Sequence, residues 1–157
     1  MINTPIKLTE NQIHQYQEQG FLRVNSLVDK SDLIKYGSVI TDLTLALNTQ
    51  TKPLSERDTY NKAFLQVMNL WQKSDVVKQF VFGKRLASVA AQLMGVNNVR
   101  IYHDQSLYKE PSGGITPAHA DQYYWPLNSD KTITAWIPLQ AVPTKMGPLA
   151  FYKGSHK

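Results

Sequence analysis

Apolar side chains in the first 95 residues recur at the three- and four-residue spacing of amphipathic helices. A first helix is predicted between Thr9, which can form a capping box with Gln12, and Gly20, which is expected to end it. Further helical regions are predicted over residues 31–47 and 61–94. The N-terminal part of the chain is therefore predicted to be mainly helical.

The spacing changes at Val99, where extended segments are predicted to begin and to continue to the end of the chain. In residues 132–139, TITAWIPL, we expect Thr134 and Trp136 to share one face of a strand, with the apolar residues between them on the other. A short strand is also predicted at residues 21–24. Helices followed by strands predict an α+β fold in which the helices pack on one face of a sheet.

The composition is that of a globular protein, with 157 residues, 42% hydrophobic and 18% charged. We expect one domain over residues 1–157, mainly helical over 1–95 and containing strands over 96–157. The net charge of +5 comes without a dense basic block, so it argues only weakly for nucleic acid, which we do not expect as a partner, and it also suits an anionic substrate or co-substrate. There is no cysteine, no apolar run of membrane-spanning length and no signal-peptide pattern, so we expect a cytoplasmic protein with no membrane partner.

Residues 116–126, TPAHADQYYWP, carry the candidate chemistry. In an extended segment His119 and Asp121 point to the same side, so the imidazole and the carboxylate can converge on one point. This donor pair, with positions left open on the metal, suits a non-haem Fe(II) oxygenase, and a third protein ligand, normally a second His, is expected from elsewhere in the chain. An isolated H-x-D triplet is common, however, and a surface His and Asp in a turn is the alternative interpretation.

Several motifs around this pair resemble the phytanoyl-CoA dioxygenase family of Fe(II)/2-oxoglutarate oxygenases. They are the H-x-D followed by aromatic residues and Trp-Pro, the strand-like TAWIPL, and the turns MGPL at 146–149 and GSHK at 154–157. The resemblance covers about residues 8–157 and is firmest from Val99 onward. It implies a double-stranded β-helix, a jelly roll of the cupin kind, with the N-terminal helices packed on it. It also implies hydroxylation of a C–H bond of a small molecule, with 2-oxoglutarate decarboxylated to succinate.

The resemblance also suggests which residues contact the iron, the co-substrate and the substrate. It implies that His119 and Asp121 bind the metal and that polar residues on the strand before them contact 2-oxoglutarate or substrate. The candidates for 2-oxoglutarate are Gln105, Lys109 and Thr134, and the candidates for substrate are Trp125, Tyr123 and Trp136. Packing at the mouth of a barrel is the alternative for Trp125, and a solvated strand end is the alternative for Lys109.

The chain departs from the family pattern in one respect. The family's distal metal His and the Arg that binds 2-oxoglutarate lie tens of residues beyond the position of Lys157, and no arginine follows Arg100. His156 is a conceivable third ligand, but the resemblance assigns GSH to a structural turn. We therefore expect the later strands of the jelly roll to be missing, metal binding and succinate formation to be weak, and unpaired strand edges to favour self-association.

Two other functions compete with a dioxygenase. One is a non-catalytic jelly-roll binding module or an inactive truncated relative. The other is a cupin-like metal-binding protein that uses His119, Asp121 and His156 in another way. Iron-dependent succinate formation would distinguish an enzyme from the binding module.

Overall fold

A computed structural model describes residues 2–157, which form two compact units. The first unit comprises residues 2–29, 83–100 and 119–157, and the second comprises residues 30–82 and 101–118. The helices and strands are, in chain order, α1 Glu10–Gln19, α2 Lys30–Leu47, α3 Thr59–Ala63, β1 Leu65–Met68, α4 Asp75–Val81, α5 Lys84–Met94 and β2 Gln105–Tyr108. Single 3-10 turns lie at Leu54–Glu56, Leu70–Gln72, Asp121–Tyr124 and Thr144–Met146. None of the described helices is long and apolar enough to cross a membrane.

Both ends of α1 are as predicted. The backbone N–H of Gln12 donates to the Thr9 hydroxyl, and the Thr9 N–H donates back to the Gln12 side chain, which completes the capping box. Gly20 ends the helix in the left-handed conformation, at φ 83°, and its N–H donates to the Tyr16 carbonyl. The strand predicted at residues 21–24 is wrong, because these residues form no ladder and pack as an irregular segment.

The core of the first unit is built around three buried side chains, Leu8, Val89 and Leu93. The last two lie on α5, which ends at Gly95 as its sequence predicts. The Gln92 amide of the same helix bridges the N-terminal segment, since it accepts from the Leu8 N–H and donates to the Ile6 carbonyl. Ile133 packs against this core from the C-terminal part of the chain, so a segment that follows the candidate site is anchored to the helical layer.

In the second unit the helix predicted over residues 61–94 is interrupted by β1. This strand pairs antiparallel with β2, with Leu65 opposite Tyr108 and Met68 opposite Gln105. The helix predicted at residues 65–68 is wrong. A short apolar run fits the periodicity of a helix and that of a strand equally well, and here pairing with the distant residues 105–108 makes it a strand. Asn69, at φ 55°, ends the strand and its N–H donates to the carbonyl of Asp104.

Asp104 serves the turn that follows β1. Its carboxylate accepts from the backbone N–H groups of Leu70 and Trp71. Burial raises the pKa of the Asp104 carboxyl, against the opposing effect of these two hydrogen bonds. Asp104 therefore has a structural role in the second unit.

The α+β class is confirmed, whereas a jelly roll is not visible in residues 2–157. The sheet in this part of the chain has two strands, β1 and β2. Residues 132–139, predicted as a strand, lie in irregular backbone, because no neighbouring strand supplies ladder hydrogen bonds to them among the described residues. The predicted alternation of side chains between two faces is nevertheless seen at residues 133 and 134, because Ile133 packs on the core and Thr134 is exposed.

Replacing Gly20 with alanine is expected to destabilise the first unit more than replacing Gly95. Both glycines have positive φ, 83° and 64°, which costs a side-chain-bearing residue about 1 kcal/mol. An added Cβ meets nothing within 4 Å at Gly95, but at Gly20 it would lie 2.4 Å from Nδ1 of His156. We expect the free energy of unfolding in urea to fall by about 1 kcal/mol for Gly95→Ala and by about 2 kcal/mol for Gly20→Ala.

The added effect at Gly20 is attributable to the C-terminal segment that packs there. The N–H of Gly154 donates to the Gln19 carbonyl, and the rings of Phe21 and Phe151 stack at 4.8 Å. A second substitution, His156→Ala, should bring the loss caused by Gly20→Ala down to the Gly95 value. Equal losses for Gly20→Ala and Gly95→Ala would contradict this contact.

Candidate metal centre

The candidate ligands lie on a turn of the first unit. Ala120 is extended, at φ −115° and ψ 124°, and the 3-10 turn begins at Asp121. His119 and Asp121 therefore keep the same-side relation predicted for an extended segment. Nε2 of His119 lies 3.3 Å from Oδ1 of Asp121, and the two side chains are 40% and 39% exposed.

The spacing of these two atoms fits a shared metal ion. Two donor atoms that bind one octahedral ion at roughly 2.1 Å and at right angles lie roughly 3 Å apart. The observed separation of 3.3 Å is close to this value. A neutral imidazole nitrogen and a carboxylate oxygen are also the protein donors of facial-triad Fe(II) sites. The pair thus has the donor types and the spacing of two ligands of such a site, and its role as a metal site stays a prediction.

The second carboxylate oxygen of Asp121 has its own partner. The hydroxyl of Thr134 donates to Oδ2 at 2.6 Å. Thr132, two residues earlier, donates its hydroxyl to the side chain of Gln122, and the Gln122 amide donates to the Ser129 carbonyl at 2.8 Å. Two threonines on one face of residues 132–134 therefore hold the two consecutive residues that begin the turn.

Aromatic side chains surround the turn. The ring of Tyr124 meets that of His119 edge to face at 6.1 Å, and Tyr123 meets Tyr124 in the same way at 5.7 Å. Tyr123 and Tyr124 both lie in a 3-10 turn, and both are exposed. Trp125 is half-buried and Trp136 is exposed. Their contacts with substrate remain predictions.

Gln105 and Lys109 belong to the second unit, and each has partners there. The Gln105 side chain accepts from the Gln66 amide of β1 at 2.6 Å. The Lys109 ammonium donates to the carbonyls of Ala63 and Gly114, which ties the turn after β2 to the end of α3. The proposed contacts of Gln105 and Lys109 with 2-oxoglutarate stay predictions.

His156 lies away from the candidate ligands and against the end of α1. Its Nε2 is 3.0 Å from the carbonyl oxygen of Gln17. No cluster of three His, Cys, Asp or Glu side chains that could hold a metal is found within residues 2–157. His156 is thus in a turn that packs on α1, and it does not join His119 and Asp121.

A sequence model of phytanoyl-CoA dioxygenase (PhyH) matches residues 16–157, nearly the whole chain. The chain belongs to the phytanoyl-CoA dioxygenase family. The match includes the His119–Asp121 turn and both threonines that hold it. Family membership therefore gives the donor pair a context that the isolated triplet lacks.

Two curated proteins that are named as dioxygenases are similar to this chain at low sequence identity. This family member is 22% identical over 152 residues to a probable alpha-ketoglutarate-dependent hypophosphite dioxygenase of Stutzerimonas stutzeri, covering 93% of this chain and 53% of that relative. It is 23% identical over 167 residues to the peroxisomal phytanoyl-CoA dioxygenase of Homo sapiens, covering 96% and 48%. The chain thus spans about half the length of these relatives. No solved structure matches it.

Sequence reasoning did not identify the hydrogen bond of Thr132 with Gln122, which supports the turn beside the candidate ligands. A signal was present, because Thr132 shares the predicted face of Thr134 and lies ten residues after Gln122. The sequence pattern does not predict the conformation of the turn at residues 121–124. That conformation decides which polar side chains of the turn contact those of residues 132–134. The structure brings together His119, Asp121, Gln122, Thr132 and Thr134 through the contacts described above.

Proposed function

We propose that the chain supplies the His119–Asp121 half of an Fe(II) centre in a 2-oxoglutarate-dependent dioxygenase. The observation that carries this proposal is the 3.3 Å approach of Nε2 and Oδ1 on an exposed turn of a phytanoyl-CoA dioxygenase family member. Both curated relatives bear the names of dioxygenases, and one is named as dependent on alpha-ketoglutarate. Dioxygen is the second co-substrate of the proposed reaction.

The proposed division of labour follows from the chemistry of each side chain. His119 and Asp121 would hold the iron, which when bound would supply the activation of dioxygen for hydroxylation of a C–H bond, while 2-oxoglutarate is decarboxylated to succinate and carbon dioxide. Tyr123, Trp125 and Trp136 offer aromatic faces to a small-molecule substrate, each able to cover apolar surface while presenting a polar atom. A mild positive net charge of +5 favours the approach of an anionic co-substrate.

We also propose that residues 99–157 take part in a jelly roll of the cupin kind. Support comes from the family match and from residues 132–134, where one side chain faces the core and its neighbours face the candidate site. Large apolar side chains of the first unit are exposed nearby in sequence, including Tyr123, Leu149, Phe151 and Tyr152. Such surface favours association with further polypeptide, and self-association is the form we propose for the isolated chain.

Anaerobic loading of the chain with Fe(II) and 2-oxoglutarate tests the proposed function. We expect a visible charge-transfer absorption, because the 2-oxo acid can chelate an iron held by His119 and Asp121 through its keto oxygen and a carboxylate. Glutarate is the matched control, since it has the same two carboxylates and no keto group. If 2-oxoglutarate gives no more charge-transfer absorption than glutarate, and no Fe(II) stays with the protein on desalting, the proposal is contradicted and a binding module is favoured.

A further inference from the structure

Thr134 gives its one hydroxyl proton to a candidate metal ligand. A threonine hydroxyl has a single O–H donor, and here it points to Oδ2 of Asp121 at 2.6 Å. The same proton is then not available to the carboxylate of a co-substrate. The geometry therefore favours a role for Thr134 toward Asp121 over the co-substrate contact that its position in the sequence suggests.

The two oxygens of Asp121 face different partners. Oδ1 is the atom near Nε2 of His119, and Oδ2 is the atom that Thr134 holds. A carboxylate free to rotate about χ1 samples three staggered rotamers, and its two oxygens also exchange by rotation about χ2. A hydrogen bond to Oδ2 selects one of these arrangements and keeps Oδ1 beside the imidazole. Oδ1 of Asp121 is therefore already oriented toward Nε2 of His119 in the absence of a metal ion.

Thr134 is itself well placed to act as a fixed donor. It follows Ile133, which packs against the Leu8–Val89–Leu93 core, so the backbone at this point is tied to the helical layer. Its branched Cβ restricts χ1, which limits the positions that the hydroxyl can take. Asp121 begins the 3-10 turn that carries the candidate ligands, and its side chain is 39% exposed. Thr134 is thus tied to the core of the first unit through its neighbour Ile133, and its hydroxyl is directed to Asp121.

Building on the proposed function, we propose that Thr134 is a positioning residue for the metal site, which fixes Asp121 so that its Oδ1 and His119 Nε2 face one ion. Outer-shell partners of this kind orient ligands and commonly change metal affinity by about 10- to 100-fold. The inference assigns Thr134 to the ligand and leaves the co-substrate to be held by other groups.

The test compares two substitutions of Thr134 with one of Thr132. Thr134→Val keeps the branched shape and removes the hydroxyl, whereas Thr134→Ser keeps the hydroxyl. Thr132→Val removes the neighbouring hydroxyl, which holds Gln122 and not Asp121. Mn(II) is the probe, and its dissociation constant is read from the loss of the free-ion signal in electron paramagnetic resonance. We expect about a tenfold or larger increase for Thr134→Val and values near wild type for Thr134→Ser and Thr132→Val.

A second measurement needs no metal. The three-bond couplings between Hα and the two Hβ protons of Asp121 report whether one χ1 rotamer is held. We expect one rotamer in the wild type and in Thr134→Ser, and rotamer averaging in Thr134→Val, with circular dichroism unchanged. Unchanged couplings, or an equal loss of Mn(II) affinity in Thr132→Val and Thr134→Val, would overturn the positioning role. A wild-type chain that holds one rotamer yet binds no Mn(II) would instead overturn the metal site.

Discussion

Replacing Asp121 with alanine is expected to abolish specific Fe(II) binding while leaving the fold intact. The substitution removes one of the two donors on the turn, so the loss should exceed the hundredfold that marks the upper end for an outer-shell residue. The side chain is 39% exposed and makes its contacts with His119 and Thr134, so we expect the free energy of unfolding to change by no more than about 1 kcal/mol. His119→Ala should behave in the same way.

His14 offers a matched control for this experiment. It also lies beside a carboxylate, with Nε2 3.5 Å from Oε1 of Glu18, but the pair is an exposed i, i+4 contact on α1. Both side chains of this pair are largely exposed, at 67% and 55%, and we do not propose it as a metal site, so His14→Ala should leave the Fe(II) affinity unchanged. Anaerobic titration calorimetry measures all three variants. Wild-type affinity in Asp121→Ala would remove this residue from the site.

The largest effect on stability is expected from Glu110→Ala in the second unit. Arg57 is nearly buried, with its side chain 6% exposed, and its guanidinium forms a bidentate pair with the Glu110 carboxylate. Its Nε also donates to the Lys52 carbonyl at 2.7 Å. Removing the carboxylate leaves a buried cation without its counter-charge, which we expect to lower the free energy of unfolding by about 3 kcal/mol.

Two comparisons separate this cost from simple loss of contacts. The double variant Arg57→Met, Glu110→Leu should be less destabilised than Glu110→Ala alone, because it removes the buried charge together with its partner. Glu18→Ala removes an exposed carboxylate from a His pair and should cost less than about 0.5 kcal/mol in the same urea titration. A Glu110→Ala loss as small as that of Glu18→Ala would show that the Arg57 pair contributes little.

Features that depend on neighbouring residues were predictable from the sequence. The capping box of Thr9 and Gln12, the glycines that end α1 and α5, and the convergence of His119 and Asp121 all arise within a few residues of chain. Their geometry follows from local backbone conformation and hydrogen bonding. The alternation placed Ile133 and Thr134 on opposite faces, but it left open which of the two faces would pack on the core.

Features that depend on distant partners were not predictable. The strand β1 exists because residues 105–108 pair with it, and the pattern of residues 65–68 fits a helix equally well. Arg57 and Glu110 are 53 positions apart, and nothing in either local sequence indicates that they pair. The alternation of residues 21–24 and 132–139 identified segments with two faces, but a strand also needs a neighbour in the sheet, which those segments lack within residues 2–157.

The turn that carries His119 and Asp121 is attached to the rest of the first unit by two sets of side-chain hydrogen bonds. Gln122 is bonded to Ser129 and to Thr132, and Asp121 is bonded to Thr134, so the residues from Tyr123 to Asn128 form a loop closed at its base. Closing a slightly longer loop costs little additional entropy. Added residues near Asn128, away from the contact of Tyr124 with His119, would therefore cost the turn little stability as long as the hydrogen bonds at the base of the loop remain.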